Sequence, residues 1–150
     1  MRLNGKVAII TGASKGLGLD IAKLFAKNGS KVIITDVNDC DGLLETNKIQ
    51  SQGDKAYYFH LDVTSEADWS RLVSKVIKKH GKIDILVNNA GVYHRGNLEA
   101  TEISDWDRVF SVNAKGVFIG TRAVLPEMKK QLKGSIVSIS SIAGIIGSKQ

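Results

Sequence analysis

Short runs of apolar residues recur along the chain, and each is followed by a segment with helical periodicity. Val7–Ile10, Val32–Thr35, Ala56–Phe59, Ile83–Val87 and Ser135–Ile139 have the length and the β-branched or aromatic content of strands. They lack a clean alternation of apolar and polar positions, which suits strands covered on both faces of a parallel sheet. Polar or turn residues follow each run: Thr11-Gly12, Asp36, Asp62, Asn88 and Ser140. Between the runs, Leu17, Ile21, Leu24 and Phe25 share one helical face that Gly29 closes. A second helix, about Asp41 to Ser51, is weakly patterned. Trp69, Leu72, Val73, Val76 and Ile77 form a clear stripe, with Ser65 placed to cap its start and Gly81 its end. Trp106, Val109, Phe110, Asn113, Val117, Thr121, Val124 and Met128 predict one long helix, which Pro126 should kink or end. This alternation predicts an α/β fold with right-handed crossovers onto one parallel sheet.

Composition narrows the picture without changing it. With 150 residues and 43% hydrophobic content, the chain can bury one core, so residues 1–150 are expected to form a single domain. No internal repeat interrupts the pattern. Cys40 is the only cysteine, which rules out an internal disulfide and favours a reducing compartment. The apolar stretch after Met1–Lys6 is too short for a signal-peptide core or a membrane span, so a cytoplasmic, non-membrane protein is expected. A net charge of +6 raises the question of nucleic acid. However, the lysines are spread over several helices, and the densest group (Lys78, Lys79, Lys82) ends a helix, where cations complement the dipole. Neither a nucleic-acid partner nor a metal site is expected.

The chemistry begins at the first strand-to-helix turn, Thr11-Gly12-Ala13-Ser14-Lys15-Gly16-Leu17-Gly18. Glycines there permit a tight turn and a close backbone approach, and the free N–H groups of the following helix can receive a pyrophosphate. The glycine spacing differs from the common dinucleotide fingerprint, but the strand–loop–helix setting is the required one. Asp36 closes the second strand, roughly twenty residues further on, where a carboxylate binds ribose hydroxyls and repels a 2′-phosphate. That points to NAD over NADP. Lys15 pulls the other way, since a cation beside the loop attracts the same phosphate.

These residues resemble the short-chain dehydrogenase/reductase family over nearly the whole chain. The likeness rests on Thr11-Gly12-x-x-x-Gly16-x-Gly18, Asp62-Val63, Asn88-Asn89-Ala90-Gly91, Asn113 and Ile139-Ser140-Ser141, in family order. It extends to NAD-dependent secondary-alcohol and 3α/20β-hydroxysteroid-type members through His60–Thr64 with Trp69, and through Gly116–Gly120. Similar blocks occur in 3-oxoacyl-carrier-protein reductases. The resemblance implies a Rossmann-type, three-layer α/β/α fold with a doubly wound parallel sheet ordered 3-2-1-4-5. It implies that Gly12, Ser14, Lys15, Gly16, Leu17 and Gly18 border the pyrophosphate and its ribose. Asp62 would meet the adenine amino group with Val63 beside the ring, and Asn89, Ala90 and Gly91 would line the adenosine ribose side.

The resemblance also names Asn113 and Ser141 as catalytic. Asn113 lies on an apolar stripe, where a buried amide needs partners; it is either a core residue satisfied by backbone or, as in the family, the holder of a relay water beside a helix distortion. Ser141, at the end of the fifth run, would donate its hydroxyl to the substrate oxygen, although a strand-end Ser is often a turn residue. In the family a Tyr follows about thirteen residues later, with a Lys one helical turn beyond, and serves as general acid/base. That position lies past Gln150, and Tyr57, Tyr58 and Tyr93 do not have the Tyr-x-x-x-Lys spacing. The expectation is therefore a fragment, inactive by itself, of an enzyme exchanging hydride between NAD and a secondary alcohol or ketone. Its fifth strand would be an open edge, its Ile142, Ile145 and Ile146 uncovered, and its full-length form a homotetramer. The alternatives are a 3-oxoacyl-carrier-protein reductase-like enzyme and a non-catalytic dinucleotide-binding module, and the retention of Asn113 and Ser141 argues against the second.

Overall fold

The computed structural model describes residues 1–146. Strands β1 (Val7–Thr11), β2 (Lys31–Asp36), β3 (Ala56–His60), β4 (Ile85–Asn88) and β5 (Ser135–Ser138) form one sheet in the order β3-β2-β1-β4-β5. Every neighbouring pair is parallel. Chain progression runs outward from β1 to β3, then reverses through β4 to β5. The reversal opens a crevice between the carboxyl ends of β1 and β4, the place where such sheets bind ligands.

Side-chain alternation divides the core into two layers. Val7, Ile9, Ile33 and Leu86 point to the face covered by α3 (Glu66–His80) and α5 (Gly116–Lys130), where Trp69, Leu72, Val76, Ile119, Val124 and Met128 meet them. Ile10, Val32, Ile34 and Val87 point to the other face, covered by α1 (Gly16–Lys27) and α2 (Asp39–Ser51), against Leu19, Ala22, Ala26 and Ile49. All five residues of β1 are buried, which accounts for the continuous apolar run. Ser65 caps α3 as the pattern requires, its hydroxyl accepting the Asp68 N–H at 3.2 Å. On α2, Asn38 accepts the Asp41 N–H and starts the helix at Asp39; only Gly42, Thr46 and Ile49 are buried, hence the faint periodicity.

The long helix departs from expectation. It starts at Ile103 as α4 (Ile103–Phe110), passes through a π-helical turn at Ser111–Lys115 and continues as α5 to Lys130. Pro126 does not end it. That residue is exposed on the outer side of the helix, while Val124 and Met128 pack inward on either side of it. The apolar stripe is buried only in its second half: α4 has no buried residue, and Trp106 and Phe110 stack on each other in the open with ring centroids 4.2 Å apart. Among the described residues β5 pairs only with β4, and Ile142, Ile145 and Ile146 are exposed. No helix among the described residues is long and apolar enough to cross a membrane.

β4 enters the ladder at Ile85, two residues later than its apolar run. The preceding Asp84 is buried, and its carboxylate accepts the Val7 N–H at 2.9 Å and pairs with Lys6 at 3.1 Å and Lys82 at 2.9 Å. Burial alone would raise its pKa, but the bonds from Lys82, the Val7 N–H and Lys6 outweigh this and hold it below the usual carboxylate value. A depressed folded-state pKa stabilises the fold above the unfolded value of about 3.9 and ceases to do so as pH falls through the folded value. Asp84→Ala should therefore cost about 2 kcal/mol at neutral pH. The deficit should shrink in denaturant melts taken progressively below about pH 4.

Candidate active site

At the end of β1 the backbone turns at Gly12 with φ of +61°, and a Cβ there would lie 2.7 Å from the Cα of Ala90. The chain leaving β4 thus crosses directly over the turn. Gly18 is equally enclosed: its Cβ would fall 2.4 Å from Asn89 Nδ2 and 2.5 Å from the Gly12 oxygen. The Asn89 amide donates to the carbonyls of Thr11 (2.9 Å) and Gly12 (3.1 Å). In return the Thr11 hydroxyl oxygen accepts the N–H groups of Asn89 (3.0 Å) and Ala90 (2.9 Å). Thr11 is buried, so these bonds form a dry clamp between β1 and β4. Sequence spacing gives Thr11 no role beyond membership of the turn. No side chain among the described residues caps α1, and its first turn carries no acidic residue, so its first N–H groups have no side-chain acceptor at the positive end of the helix.

A cleft of about 440 Å³ opens over this clamp. Gly12, Lys15, Asp36, Asp62, Val63, Asn89, Ala90 and Gly91 line it, together with Val37, Asn38, Leu61, Val92 and Val112. Gly16 and Leu17 are exposed at the start of α1, and Gly18 is buried beneath the turn. Ser14 does not line the cleft: its N–H (3.1 Å) and hydroxyl (2.7 Å) both donate to Asp36 Oδ2. The Asn38 N–H donates to Asp36 Oδ1 at 3.1 Å. The carboxylate is thereby oriented: both lone-pair sites of Oδ2 are taken, and Oδ1 keeps one for a further donor. Asp62 is held by the Thr64 N–H (2.9 Å) and hydroxyl (2.8 Å), both on Oδ1. Val63 accepts the Trp69 indole N–H on its carbonyl at 3.1 Å and packs so closely on Gly116 that a Cβ there would come within 2.8 Å.

A second cleft, about 670 Å³, shares Gly91 and Val92 with the first and is lined by both Asn113 and Ser141. Asn113 is exposed rather than buried, which corrects the inference from its stripe: α4 and the π turn lie at the rim of the fold, where no described element covers them. Its amide nonetheless uses both functions, accepting the Val92 N–H and donating to the Val92 carbonyl, each at 2.9 Å. The helix distortion is present too, as the π turn around Asn113. The Ser141 hydroxyl accepts the Ala143 N–H at 3.2 Å, so its own proton stays free to donate. Tyr93, His94, Trp106 and Phe110 also form part of its walls. No spacing in the sequence singles out His94, whose Nδ1 lies 3.4 Å from Asp105.

A doubly wound parallel sheet, with a glycine-rich turn at its switch point and two adjoining clefts above it, defines a Rossmann-type protein. The chain belongs to the short-chain dehydrogenase family, whose family model matches residues 6–150. It is similar to cyclopentanol dehydrogenase from Comamonas testosteroni, with 41% identity over 146 residues, covering 97% of this chain and 58% of that protein. It is 39% identical to 3-alpha-(or 20-beta)-hydroxysteroid dehydrogenase from Mycobacterium tuberculosis, covering 97% of this chain and 55% of that one. Trans-4-hydroxycyclohexanecarboxylate dehydrogenase from Sinomonas cyclohexanicum is 38% identical, with 99% and 59% covered. The chain thus spans little more than half the length of these relatives. Short-chain dehydrogenases are oxidoreductases that use NAD or NADP.

Proposed function

We propose that this protein is an NAD-preferring oxidoreductase that interconverts a secondary alcohol and its ketone. The observation that carries the proposal is the Asp36 carboxylate, fixed by Ser14 and Asn38 on the wall of the cleft above Gly12. The donor set fits a dinucleotide. Uncapped amides at the start of α1 hold the pyrophosphate, with Lys15, Gly16 and Leu17 around it and Gly12 and Gly18 shaping the turn. Asp36 accepts from an adenosine ribose hydroxyl through the free site of Oδ1. Asp62 receives the adenine amino group beside Val63, and Asn89, Ala90 and Gly91 back the ribose. The bound dinucleotide supplies the hydride acceptor.

Ser141 donates its hydroxyl to the substrate oxygen, and Asn113 anchors Val92, the backbone shared by the two clefts. No tyrosine of this chain precedes a lysine by four positions, so proton exchange is assigned to none of them. A polypeptide of residues 1–150 alone should accordingly show no turnover. A pure dinucleotide binder has no use for a second cleft carrying Asn113 and Ser141. The names of the relatives make ring-borne secondary alcohols the first substrates to assay. The exposed Trp106–Phe110 stack on α4 supports assembly of the whole protein into a homotetramer through this helix.

The cofactor reading is tested by fluorescence titration with NADH and NADPH. NADH should bind more tightly, and Asp36→Ala should narrow the difference by about tenfold, a change of about 1.4 kcal/mol. Equal affinities in the unmodified protein would refute the preference for NAD.

A further inference from the structure

Tyr58 lies outside both clefts, yet it is built into the segment that carries Asp36. It stands on β3 opposite Ile34 of β2 and packs against the layer under α1 and α2. Its ring occupies the space where residue 42 would have a side chain: a Cβ at Gly42 would lie 2.1 Å from the ring's Cε2. A glycine inside a helix costs stability, and here the ring's seat on α2 explains it. The phenol oxygen lies 2.8 Å from the Asp36 carbonyl and 2.7 Å from Asp39 Oδ1. Asp39 is held in turn by His60 Nδ1 at 2.8 Å.

One hydroxyl, with a single proton to give, thus shares it between the last residue of β2 and the first residue of α2. The turn between them also provides the Asn38 N–H that orients the Asp36 carboxylate. A shift of this turn moves that carboxylate relative to the cleft. Burial, followed by the bond to Asp39 and the charges of Asp39 and Asp36, raises the Tyr58 pKa, so the phenol remains a donor throughout the working pH range.

We propose that Tyr58 is a positioning residue for dinucleotide choice, holding the 36–39 turn so that Asp36 faces the adenosine ribose. The proposal rests on the assignment of Asp36 above. Tyr58 touches neither dinucleotide nor substrate and acts only through Asp36.

The test uses the protein expressed from its complete coding sequence and measures Kd for NADH and for NADPH by fluorescence titration. Tyr58→Phe keeps the ring on Gly42 and removes only the hydroxyl. NADH affinity should fall by roughly threefold to tenfold, while NADPH affinity changes by less than about twofold. In an Asp36→Ala background the same substitution should add nothing, because both act through one carboxylate. Equal loss for both dinucleotides, or an unchanged preference in Tyr58→Phe while Asp36→Ala collapses it, would overturn the role of Tyr58 and leave Asp36 standing. A preference that survives Asp36→Ala would instead overturn the reading of Asp36 and, with it, this proposal.

Discussion

Gly18→Val is expected to remove dinucleotide binding. The first carbon of the new side chain would lie 2.4 Å from Asn89 Nδ2 and 2.5 Å from the Gly12 oxygen. Neither neighbour is the free end of a flexible chain. Gly12 is the turn itself, and the Asn89 amide is committed to the carbonyls of Thr11 and Gly12. Overpacking of this kind costs about 1–3 kcal/mol. Displacing Asn89 strands polar groups in a partly buried site, at about 1–3 kcal/mol more. The free protein relieves this strain by shifting the turn, and binding must then restore the original geometry; if that restoration costs about 3 kcal/mol, NADH affinity falls by roughly a hundredfold. Gly18→Ala should give the same effect at smaller amplitude. Titration with NADH, alongside thermal melts, checks both, and wild-type affinity in Gly18→Val would show that the turn is not packed against β4 as described.

Ser141→Ala should have the other large effect, and on a different quantity. The hydroxyl accepts from the Ala143 N–H, so its proton is directed elsewhere, and the residue shares a cleft with Asn113. Losing a donor aimed at charge that develops on a reacting oxygen costs about 10²–10³ in turnover. Ser141 does not line the cleft that holds Gly12 and Asp36, so NADH affinity should stay within about twofold. Steady-state kinetics of the whole protein with a secondary alcohol, paired with NADH titration, separates the two quantities. A variant that retains full kcat would return Ser141 to the status of a turn residue.

What could be read from residue order alone follows from which forces act locally. The central strands β1, β2 and β4 were legible because they are covered on both faces, which forces unbroken apolar runs. α3 was legible at both ends because Ser65 caps it with its own hydroxyl and Gly81, lacking a Cβ, takes the left-handed backbone that ends it. α2 was not, because just three of its residues are buried and one is a glycine seated under Tyr58. Periodicity gave no warning of the π turn at Ser111–Lys115. One extra residue in a turn shifts the stripe by less than the scatter of apolar positions along it. It also misplaced Asn113, since a stripe shows which face is apolar without showing whether anything covers it.

The site divides along the same line. Asp36 and the glycine-rich turn are marked by their spacing from β1, a one-dimensional property. The Thr11 clamp and the Tyr58 bridge depend on residues 78 and 22 positions apart and exist only once the sheet has formed. Ser14 shows how the two kinds of information combine: it belongs to the turn in sequence, but in space it serves the carboxylate at the end of the next strand.

A crystal structure of the whole protein grown with NAD would test the central claim most directly. The expected result is a pyrophosphate on the amides that open α1, with an adenosine ribose hydroxyl bonded to the carboxylate of Asp36. A nucleotide bound away from the crevice between β1 and β4, or a ribose out of reach of Asp36, would contradict it.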